Sequence, residues 1–304
     1  LDVRENEITS VDLSANIALV DLSLGGNLLS TINVTKNVNL TSLFLNDNQL
    51  TTIDVSNNIN LERLGIMRNQ FSTIDISMLL NLKDLLIHEN LFTSLNISNN
   101  TELTWLYASG NKLSSIDLST NTKLERIDIY YNLLTNIDVS MLPDLNDFRT
   151  ANNQLTNIDV SNNSNLLSFS CNDNFLTSLN VKNGNNSNST YFDASNNPNL
   201  NCIQVDDIAY AITNWTKKDA HSVFNINCSE PIVYIPDTNM KAALVADTFI
   251  NSNGDDEIQI SEAEAVTESL IGEGLNIADL TGIEAFVNIT GLNVQNNNLT
   301  TVDV

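Results

Sequence analysis

The fold is decided by a 21-residue stretch, LTSLFLNDNQLTTIDVSNNIN, which occupies residues 40–60. The next stretch, residues 61–81, repeats its spacing as LERLGIMRNQFSTIDISMLLN. The same frame fits eight full coils over residues 19–186 without an insertion. When the frame is numbered from 1 to 21, apolar residues fill slots 1, 4, 6, 11, 14 and 16. A repeat of this regularity predicts a solenoid in which each coil stacks on the one before it.

The alternation within each coil predicts extended chain. Slots 4 and 6 alternate with polar residues, as in a short strand with one buried face, and slots 14 and 16 do the same on the far side. Coils stacked about 4.8 Å apart would share a continuous core of Leu, Ile and Val. Slot 9 predicts a tight turn whose side chain bonds to unpaired backbone groups. It holds Asn6, Asn27, Asn48, Asn69, Asn90, Asn111, Asn132, Asn153 and Asn174.

The pattern L-x-x-L-x-L-x-x-N-x-L-x-x-I-D-V-S-x-N resembles the leucine-rich repeat, in the short form of internalin-like and Bacteroidetes surface proteins. The resemblance covers roughly two-thirds of the chain. It implies a curved, mostly β leucine-rich-repeat solenoid with a parallel concave sheet and little helix outside its caps. It also implies a bacterial protein that is secreted or held at the cell surface and that binds a ligand on the concave sheet.

The regular frame fails after residue 186 and returns near the end of the chain, which predicts several segments. An amphipathic stretch at 205–215 predicts a cap helix, and Asp237 or Thr238 is expected to begin a second helix that runs toward residue 245. Because both termini fall inside a coil, we expect a longer polypeptide. The predicted segments are a leucine-rich repeat array (1–201), its C-terminal cap (202–228), a linker (229–232), a helical N-terminal cap (233–268) and the start of a second array (269–304).

The chain contains three cysteines. Cys202 and Cys228 bracket the first cap helix, and a bridge between them would staple that cap in an oxidising compartment. Such a bridge also resembles the C-terminal caps of the same bacterial family. Cys171 occupies apolar slot 6, so we expect a buried and unreactive thiol.

Charge and hydropathy exclude several classes of function. The chain has 37 acidic and 13 basic residues and a formal net charge of −24, which argues against nucleic acid or an anionic membrane as partner. No apolar run approaches the roughly 18 residues of a membrane helix. The two histidines, His88 and His221, have no nearby Ser or Cys that predicts a triad. We therefore expect a protein that is not an enzyme and does not insert into a membrane.

Candidate binding residues occupy slots 3, 5, 7 and 8, which point out of the concave strand or its exit. All five arginines lie in these slots, and none of the eight lysines does. Trp, Tyr and Arg carry most of the binding energy at interfaces. Five adjacent coils would place these residues on a patch about 20 Å long. The predicted binding residues, called the concave patch below, are Arg63, Met67, Arg68, Leu86, His88, Trp105, Tyr107, Arg126, Asp128, Tyr130, Tyr131 and Arg149.

Alternatives to this interpretation remain open. Bulky residues also suit sheet surfaces, where they stack on one another without a ligand. A protein is the first expectation for the partner. A polysaccharide is the second, with rings stacked on Trp105 or Tyr130 and hydroxyls held by Asp84 and Asp128. The third is self-assembly of capped arrays into a surface layer, a stalk or a fibre.

Two acidic features raise the question of calcium. Residues 251–262, NSNGDDEIQISE, follow the twelve-residue calcium-loop frame, with an apolar residue at position 8 and Glu at position 12. Asp256 replaces the glycine preferred at position 6, and an Asn replaces the first Asp, so a metal-free cap is the alternative. Slot 15 repeats Asp along the convex side, where we expect a solvated face, with calcium bridging as the alternative. The candidate loop ligands are Asn251, Asn253, Asp255, Glu257 and Glu262.

Overall fold

The structure, a computed structural model, describes residues 1–228 and 231–302. Residues 229–230, in the predicted linker, and 303–304, at the end of the predicted second array, lie outside the described residues. The chain divides into two compact units, Leu1–Ser222 and Val223–Val304.

A nine-stranded parallel sheet forms one side of the first unit. Each coil adds one three-residue strand, and strands pair in register, so that Leu43, Leu64 and Leu85 are consecutive partners. These central leucines are fully buried. The strands are β1 (Asp21–Ser23), β2 (Ser42–Phe44), β3 (Arg63–Gly65), β4 (Asp84–Leu86), β5 (Trp105–Tyr107), β6 (Arg126–Asp128), β7 (Asp147–Arg149), β9 (Ser168–Ser170) and β11 (Tyr191–Asp193). The stacked coils confirm the predicted leucine-rich-repeat solenoid.

The far side of the coils forms regular strands only toward the end of this unit. There β8 (Asn157–Asp159), β10 (Ser178–Asn180) and β12 (Cys202–Gln204) pair in parallel. Elsewhere on this side a side chain–backbone turn recurs: the Asp54 carboxylate accepts hydrogen bonds from the Ser56 amide at 3.0 Å and its hydroxyl at 2.7 Å. These bonds lower the pKa of Asp54. The slot 15 aspartates are therefore exposed, as expected, and also hold the local backbone turn.

The slot 9 asparagines form the predicted ladder. Asn111 is buried, and its Nδ2 donates to the backbone oxygens of Ile87 and Ala108 at 3.1 Å and of Ser109 at 3.3 Å. Its Oδ1 accepts from the amide of Phe92 at 3.1 Å. The side chain thus ties its own turn to the preceding coil.

A second buried ladder lies on the far side, at slot 19. Asn100 donates through Nδ2 to the carbonyls of Ile76 at 3.0 Å and Leu79 at 2.8 Å, while its Oδ1 has no hydrogen-bond partner among the described residues. Two coils replace this Asn with a fully buried leucine, Leu79 or Leu142. The frame therefore tolerates an apolar residue at slot 19. The buried asparagines of this ladder are Asn37, Asn58, Asn100, Asn121 and Asn163.

The end of the first unit leaves the regular frame. A short 3-10 helix spans Asn186–Asn188, and the predicted cap helix is α1 (Ile208–Asn214). The Asp207 carboxylate accepts from the amide of Tyr210 at its start. Cys202 and Cys228 are disulfide-bonded, as predicted, and Cys171 is a free buried thiol whose pKa is raised by burial.

The second unit has a core of its own, in which Met240, Ile258 and Phe286 are buried. The Asp237 side chain accepts from the amides of Asn239 and Met240 and begins the second predicted helix. No described helix is long and apolar enough to cross a membrane. The elements are β13 (Val223–Asn225), α2 (Thr238–Ala246), α3 (Ile260–Ala265), β14 (Ser269–Ile271), a 3-10 helix (Ile283–Ala285) and β15 (Gly291–Asn293).

Candidate binding face

All twelve residues of the concave patch lie on or directly after five adjacent strands. Backbone hydrogen bonds continue past the strand ends, from the Arg68 amide to the His88 oxygen and from the Gly110 amide to the Tyr130 oxygen, both at 2.9 Å. The coils therefore keep their register at slots 7 and 8. Strands β3–β7 carry Arg63, Leu86, Trp105, Tyr107, Arg126, Asp128 and Arg149, and the turns after them carry Met67, Arg68, His88, Tyr130 and Tyr131.

An aromatic and cationic cluster lies at the centre of the patch. The guanidinium of Arg126 lies over the Trp105 ring, 5.0 Å from its centroid, because the two residues are register partners on β6 and β5. Tyr107 packs edge-on to the same Trp105, with ring centroids 6.3 Å apart. Arg126 thus covers a face of the indole through a cation–π contact.

A second aromatic pair follows β6, where Tyr130 and Tyr131 lie edge-to-face with centroids 5.4 Å apart. Tyr131 is 59% exposed and has a φ of 52°, in the left-handed region. Slot 8 is also left-handed in the two neighbouring coils, where it holds Gly110 and Asn152. Gly and Asn are the residue types that adopt this conformation most readily. An exposed tyrosine at this position is costly for folding alone.

The remaining arginines of the patch are engaged by neighbours. Arg68, also in the left-handed region, lies between Glu89 at 3.1 Å and Asp47 at 3.6 Å, and these carboxylates raise its pKa. Arg149 directs Nε and Nη2 at the Asp147 carboxylate, each at 3.1 Å. Their positive charges are therefore largely matched within the face.

The Nε of Arg63 donates to the Ser42 hydroxyl at 3.1 Å. Met67, Leu86 and His88 are half-buried, and burial lowers the pKa of His88. These residues form the β3–β4 side of the patch, where the apolar side chains of Met67 and Leu86 are partly exposed.

Asp128 differs from every other charged residue of the patch. It is only 9% exposed, and its Oδ1 has no hydrogen-bond partner among the described residues. Burial raises the pKa of Asp128 to about 6, although Arg149 acts in the opposite direction. Its register partners along the row are Tyr107 on β5 and Arg149 on β7.

One cluster on the same sheet was absent from the predicted residues. The ammonium of Lys217 lies 4.6 Å from the Tyr191 ring centroid and 3.5 Å from the Asp193 carboxylate. Lys217 lies in the irregular stretch after the array, where the 21-residue frame assigns no slot. Tyr191 and Asp193 lie on β11. Aligning that irregular coil with slots 3 and 5 would have predicted these two residues as members of the sheet surface.

Four of the candidate calcium residues lie on the loop before α3, and Glu262 lies in the first turn of that helix. Asn253 contacts both carboxylates, donating its amide N–H to Glu262 at 3.1 Å and its Nδ2 to Asp255 at 3.1 Å. Asn251, Asp255, Glu257 and Glu262 are buried, and burial raises the pKa of Asp255. The loop therefore collects carboxylate and amide oxygens, the ligand type that calcium prefers.

Protein donors already engage these oxygens. Asp255 accepts from Asn225 and from Gln259, the latter at 2.8 Å, and Glu257 pairs with Lys241 at 2.5 Å. Calcium at this loop would have to replace such bonds. Among the residues that the structure describes, no group of three or more His, Cys, Asp or Glu could hold a metal ion.

No family model matches the sequence, and no curated protein does. Among solved structures, the functional domain of InlJ from Listeria monocytogenes is similar to the chain, with a TM-score of 0.64 and 24% identity. The match covers 100% of this chain and 64% of that one, so the chain spans less than two-thirds of the InlJ domain.

Two further solved structures are similar. An internalin, InlF, from Listeria monocytogenes str. 4b F2365 has a TM-score of 0.60 and 21% identity over 99% of this chain and 81% of that one. The leucine-rich repeat domain of APL1B has a TM-score of 0.50 and 20% identity over 63% of this chain and 67% of that one. With the parallel sheet and its stacked coils, these likenesses show that the chain has an internalin-like leucine-rich-repeat fold.

Proposed function

We propose that the chain is a non-catalytic binding module that holds a protein partner against the concave patch. The observation that carries this proposal is the exposure of Tyr131 and Arg68 at slot 8, which the other coils fill with Gly, Asn, Asp or Glu. Tyr131 and Arg68 occupy left-handed backbone positions, where residues other than Gly and Asn cost about 1 kcal/mol or more. Such a cost is retained where a ligand contact offsets it.

The ring contacts favour a protein over a polysaccharide. A sugar ring stacks on a free aromatic face, but Arg126 lies over the Trp105 ring. Tyr130 and Tyr131 contact one another edge to face. A surface of ring edges, guanidinium groups and short apolar side chains suits the mixed surface of a folded protein.

The test compares the full chain with the variant Trp105→Ala/Arg126→Ala/Tyr130→Ala as immobilised bait for extracellular proteins. Each recovered protein is then purified and titrated directly against both baits. We expect at least a roughly tenfold weaker affinity for the variant, because Trp, Tyr and Arg are the dominant anchor types at interfaces.

A matched control removes an aromatic–cation pair from the same sheet outside the patch. Tyr191→Ala/Lys217→Ala should bind the recovered protein as tightly as the native chain does. A partner that binds the triple variant as tightly as the native chain contradicts the proposal.

The other two functions give different outcomes in parallel measurements. Binding to a glycan array that is lost in Trp105→Ala/Arg126→Ala would favour a polysaccharide ligand. Light scattering that rises with concentration, and falls to the monomer value in the triple variant, would favour self-assembly. Either result without a protein partner would replace the first proposal.

We propose that the module acts outside the cell, at a bacterial surface or in secreted form. The Cys202–Cys228 disulfide supports this location, because such bonds persist mainly in oxidising compartments. Fractionation of the native host, with the chain detected by antibody, tests it: recovery in the cytosol alone would contradict the proposal.

We also propose that the loop at residues 251–262 binds calcium. Its support is the burial of Asp255 and Glu262, whose carboxylates both contact Asn253. Calorimetric titration of the full chain with calcium chloride should release heat that is lost in Asp255→Asn. Asp256→Asn, an exposed neighbour outside the candidate set, is the control. Absence of binding to the native chain would contradict the proposal.

A further inference from the structure

The concave patch contains one buried polar atom that the fold leaves without a partner, the Oδ1 of Asp128. Asp128 is nine-tenths buried at the centre of a nine-stranded sheet, and no described donor reaches its Oδ1. A buried carboxylate oxygen without a hydrogen bond is strongly unfavourable. Water would solvate an exposed carboxylate. Because Asp128 is buried, the lack of a donor indicates that a ligand supplies one.

The nearest cation does not supply that donor. Arg149 is the register partner of Asp128 on β7, yet its guanidinium bonds twice to Asp147. The other side of Asp128 faces Tyr107 on β5. Arg149 attracts and Asp147 repels the charge of the carboxyl, while the Tyr130 backbone and the Ser109 side chain act on it through hydrogen bonds. None of these groups reaches Oδ1.

The charge balance of the face indicates what kind of donor is missing. Arg68 and Arg149 are paired with carboxylates, and Arg126 lies over Trp105. Asp128 is a buried acid of the patch that forms no salt bridge with any of these arginines. The whole chain is also acidic, with a net charge of −24, so long-range attraction favours a basic partner.

We propose that Asp128 accepts a hydrogen bond from a cationic side chain, lysine or arginine, of the protein bound at the concave patch. The proposal rests on the proposed function. The cation enters beside Tyr107, the register partner of Asp128 on β5, whose ring can make a cation–π contact with it. The cation reaches the carboxylate through the 9% of Asp128 that stays exposed, and its charge compensates an acid whose buried Oδ1 has no donor.

Protonation gives this contact a pH dependence. The ionised carboxylate is needed to hold the cation, and the pKa of Asp128 in the free chain is about 6. Affinity should therefore be constant at neutral pH and fall about tenfold by about pH 5. The loss should disappear in Asp128→Asn, which carries no titrating group at this position.

The experiment selects ligands from a random peptide library displayed on phage, with the full chain immobilised at about pH 7.5. Selected peptides are synthesised and titrated against the native chain, Asp128→Asn, Asp21→Asn and Trp105→Ala/Tyr130→Ala. Asp21→Asn is the matched control because it makes the same change on β1, outside the patch.

The expected result is a set of peptides with Lys or Arg at a fixed position. Their affinity should fall about ten- to a hundredfold in Asp128→Asn, as for loss of a charged hydrogen bond, and stay unchanged in Asp21→Asn. Replacement of that Lys or Arg by norleucine should weaken binding to the native chain and have little further effect on Asp128→Asn.

The other outcomes separate the two proposals. Peptides that need Trp105 and Tyr130 but bind Asp128→Asn as tightly as the native chain overturn this inference and leave the binding function in place. If no selected peptide depends on Trp105 and Tyr130, both proposals fail. Circular dichroism of each variant verifies that the solenoid is intact.

Discussion

Asn111 and Asp128 lie on adjacent coils and are buried to nearly the same extent, at 8% and 9% exposed. Asn111 makes four hydrogen bonds to backbone groups, whereas the Oδ1 of Asp128 has none among the described residues. The first residue recurs in every coil, so the repeat itself supplies its partners. The second is the one aspartate at slot 5 of the eight regular coils, and stacking of these coils supplies no donor for its Oδ1.

This contrast separates two reasons for a polar residue in a solenoid. A repeated polar residue at a turn is part of the architecture, because it satisfies the backbone of its neighbour. A single buried carboxylate with an unpaired oxygen lowers the stability of the fold. We infer that such a residue is retained because it contributes to binding. Substitutions at the two positions should therefore change stability in opposite directions.

The largest effect is expected for Asn111→Ala. This change removes three donated bonds and one accepted bond from a buried turn, and it leaves backbone groups unsatisfied. We expect the free energy of unfolding to fall by about 4 kcal/mol. Urea denaturation of the native chain and variant, followed by circular dichroism, measures the difference.

The control is Asn100→Leu, at the slot where Leu79 and Leu142 already replace asparagine. Its Oδ1 is unpaired, so the substitution removes two donated bonds and a buried unsatisfied oxygen together. We expect a change of less than about 1.5 kcal/mol. A loss as large as that of Asn111→Ala would show that the two ladders are equivalent.

A somewhat smaller effect, of opposite sign, is expected for Asp128→Asn. The pKa of Asp128 is about 6 in the folded chain and 3.8 in a reference peptide, so the folded state favours the protonated acid. The contribution of Asp128 to the free energy of unfolding is therefore fully present below a pH of 3.8, the pKa of the reference peptide. It is lost as the pH rises through about 6, the pKa in the folded chain. At about pH 7.5 we expect Asp128→Asn to raise the free energy of unfolding by up to about 3 kcal/mol.

Urea denaturation at two pH values checks this prediction. The gain should vanish at about pH 3.5, where Asp128 is protonated in both states. Asp21→Asn on β1 should change stability by less than about 0.5 kcal/mol at either pH, as expected of an exposed residue. A destabilised Asp128→Asn at neutral pH would mean that the fold itself satisfies the carboxylate.

The sequence predicted the repeating part of the molecule because every coil repeats the same 21-residue pattern of apolar and polar residues. Apolar slots 4 and 6 determined the sheet, and slot 9 determined the asparagine ladder, since identical residues at a fixed spacing must meet. It also predicted that Trp105 and Arg126 share a face, because both occupy slot 3 of adjacent coils. The slot 19 ladder shows the same periodicity, but its role appears only when burial is known.

The rest depended on side-chain geometry that spacing does not encode. The frame placed Asp128 and Arg149 in one row, but the preference of Arg149 for Asp147 depends on rotamers. Extended chain was expected on the far side of every coil, and regular strands form there only in the last coils, as in β8 and β10. The Lys217–Tyr191 contact joins an irregular segment to the sheet, where no repeat constrains the spacing.

The smallest effect is expected at slot 8, where the same contrast can be tested by a reciprocal exchange. Tyr131 and Asn152 occupy this slot in successive coils, with φ values of 52° and 54°. Asparagine adopts the left-handed conformation more readily than tyrosine does. Tyr131→Asn should therefore raise the free energy of unfolding by about 0.5–1 kcal/mol, and Asn152→Tyr should lower it by a similar amount.

Binding to the patch should change independently of stability. Under the proposed function, Tyr131→Asn weakens a patch-dependent ligand although it stabilises the fold, because an exposed aromatic contact is lost. Asn152→Tyr should leave that ligand's affinity unchanged. If Tyr131→Asn destabilises the chain, the Tyr130–Tyr131 ring contact outweighs the backbone cost. Tyr131 would then need no ligand to explain its place at slot 8.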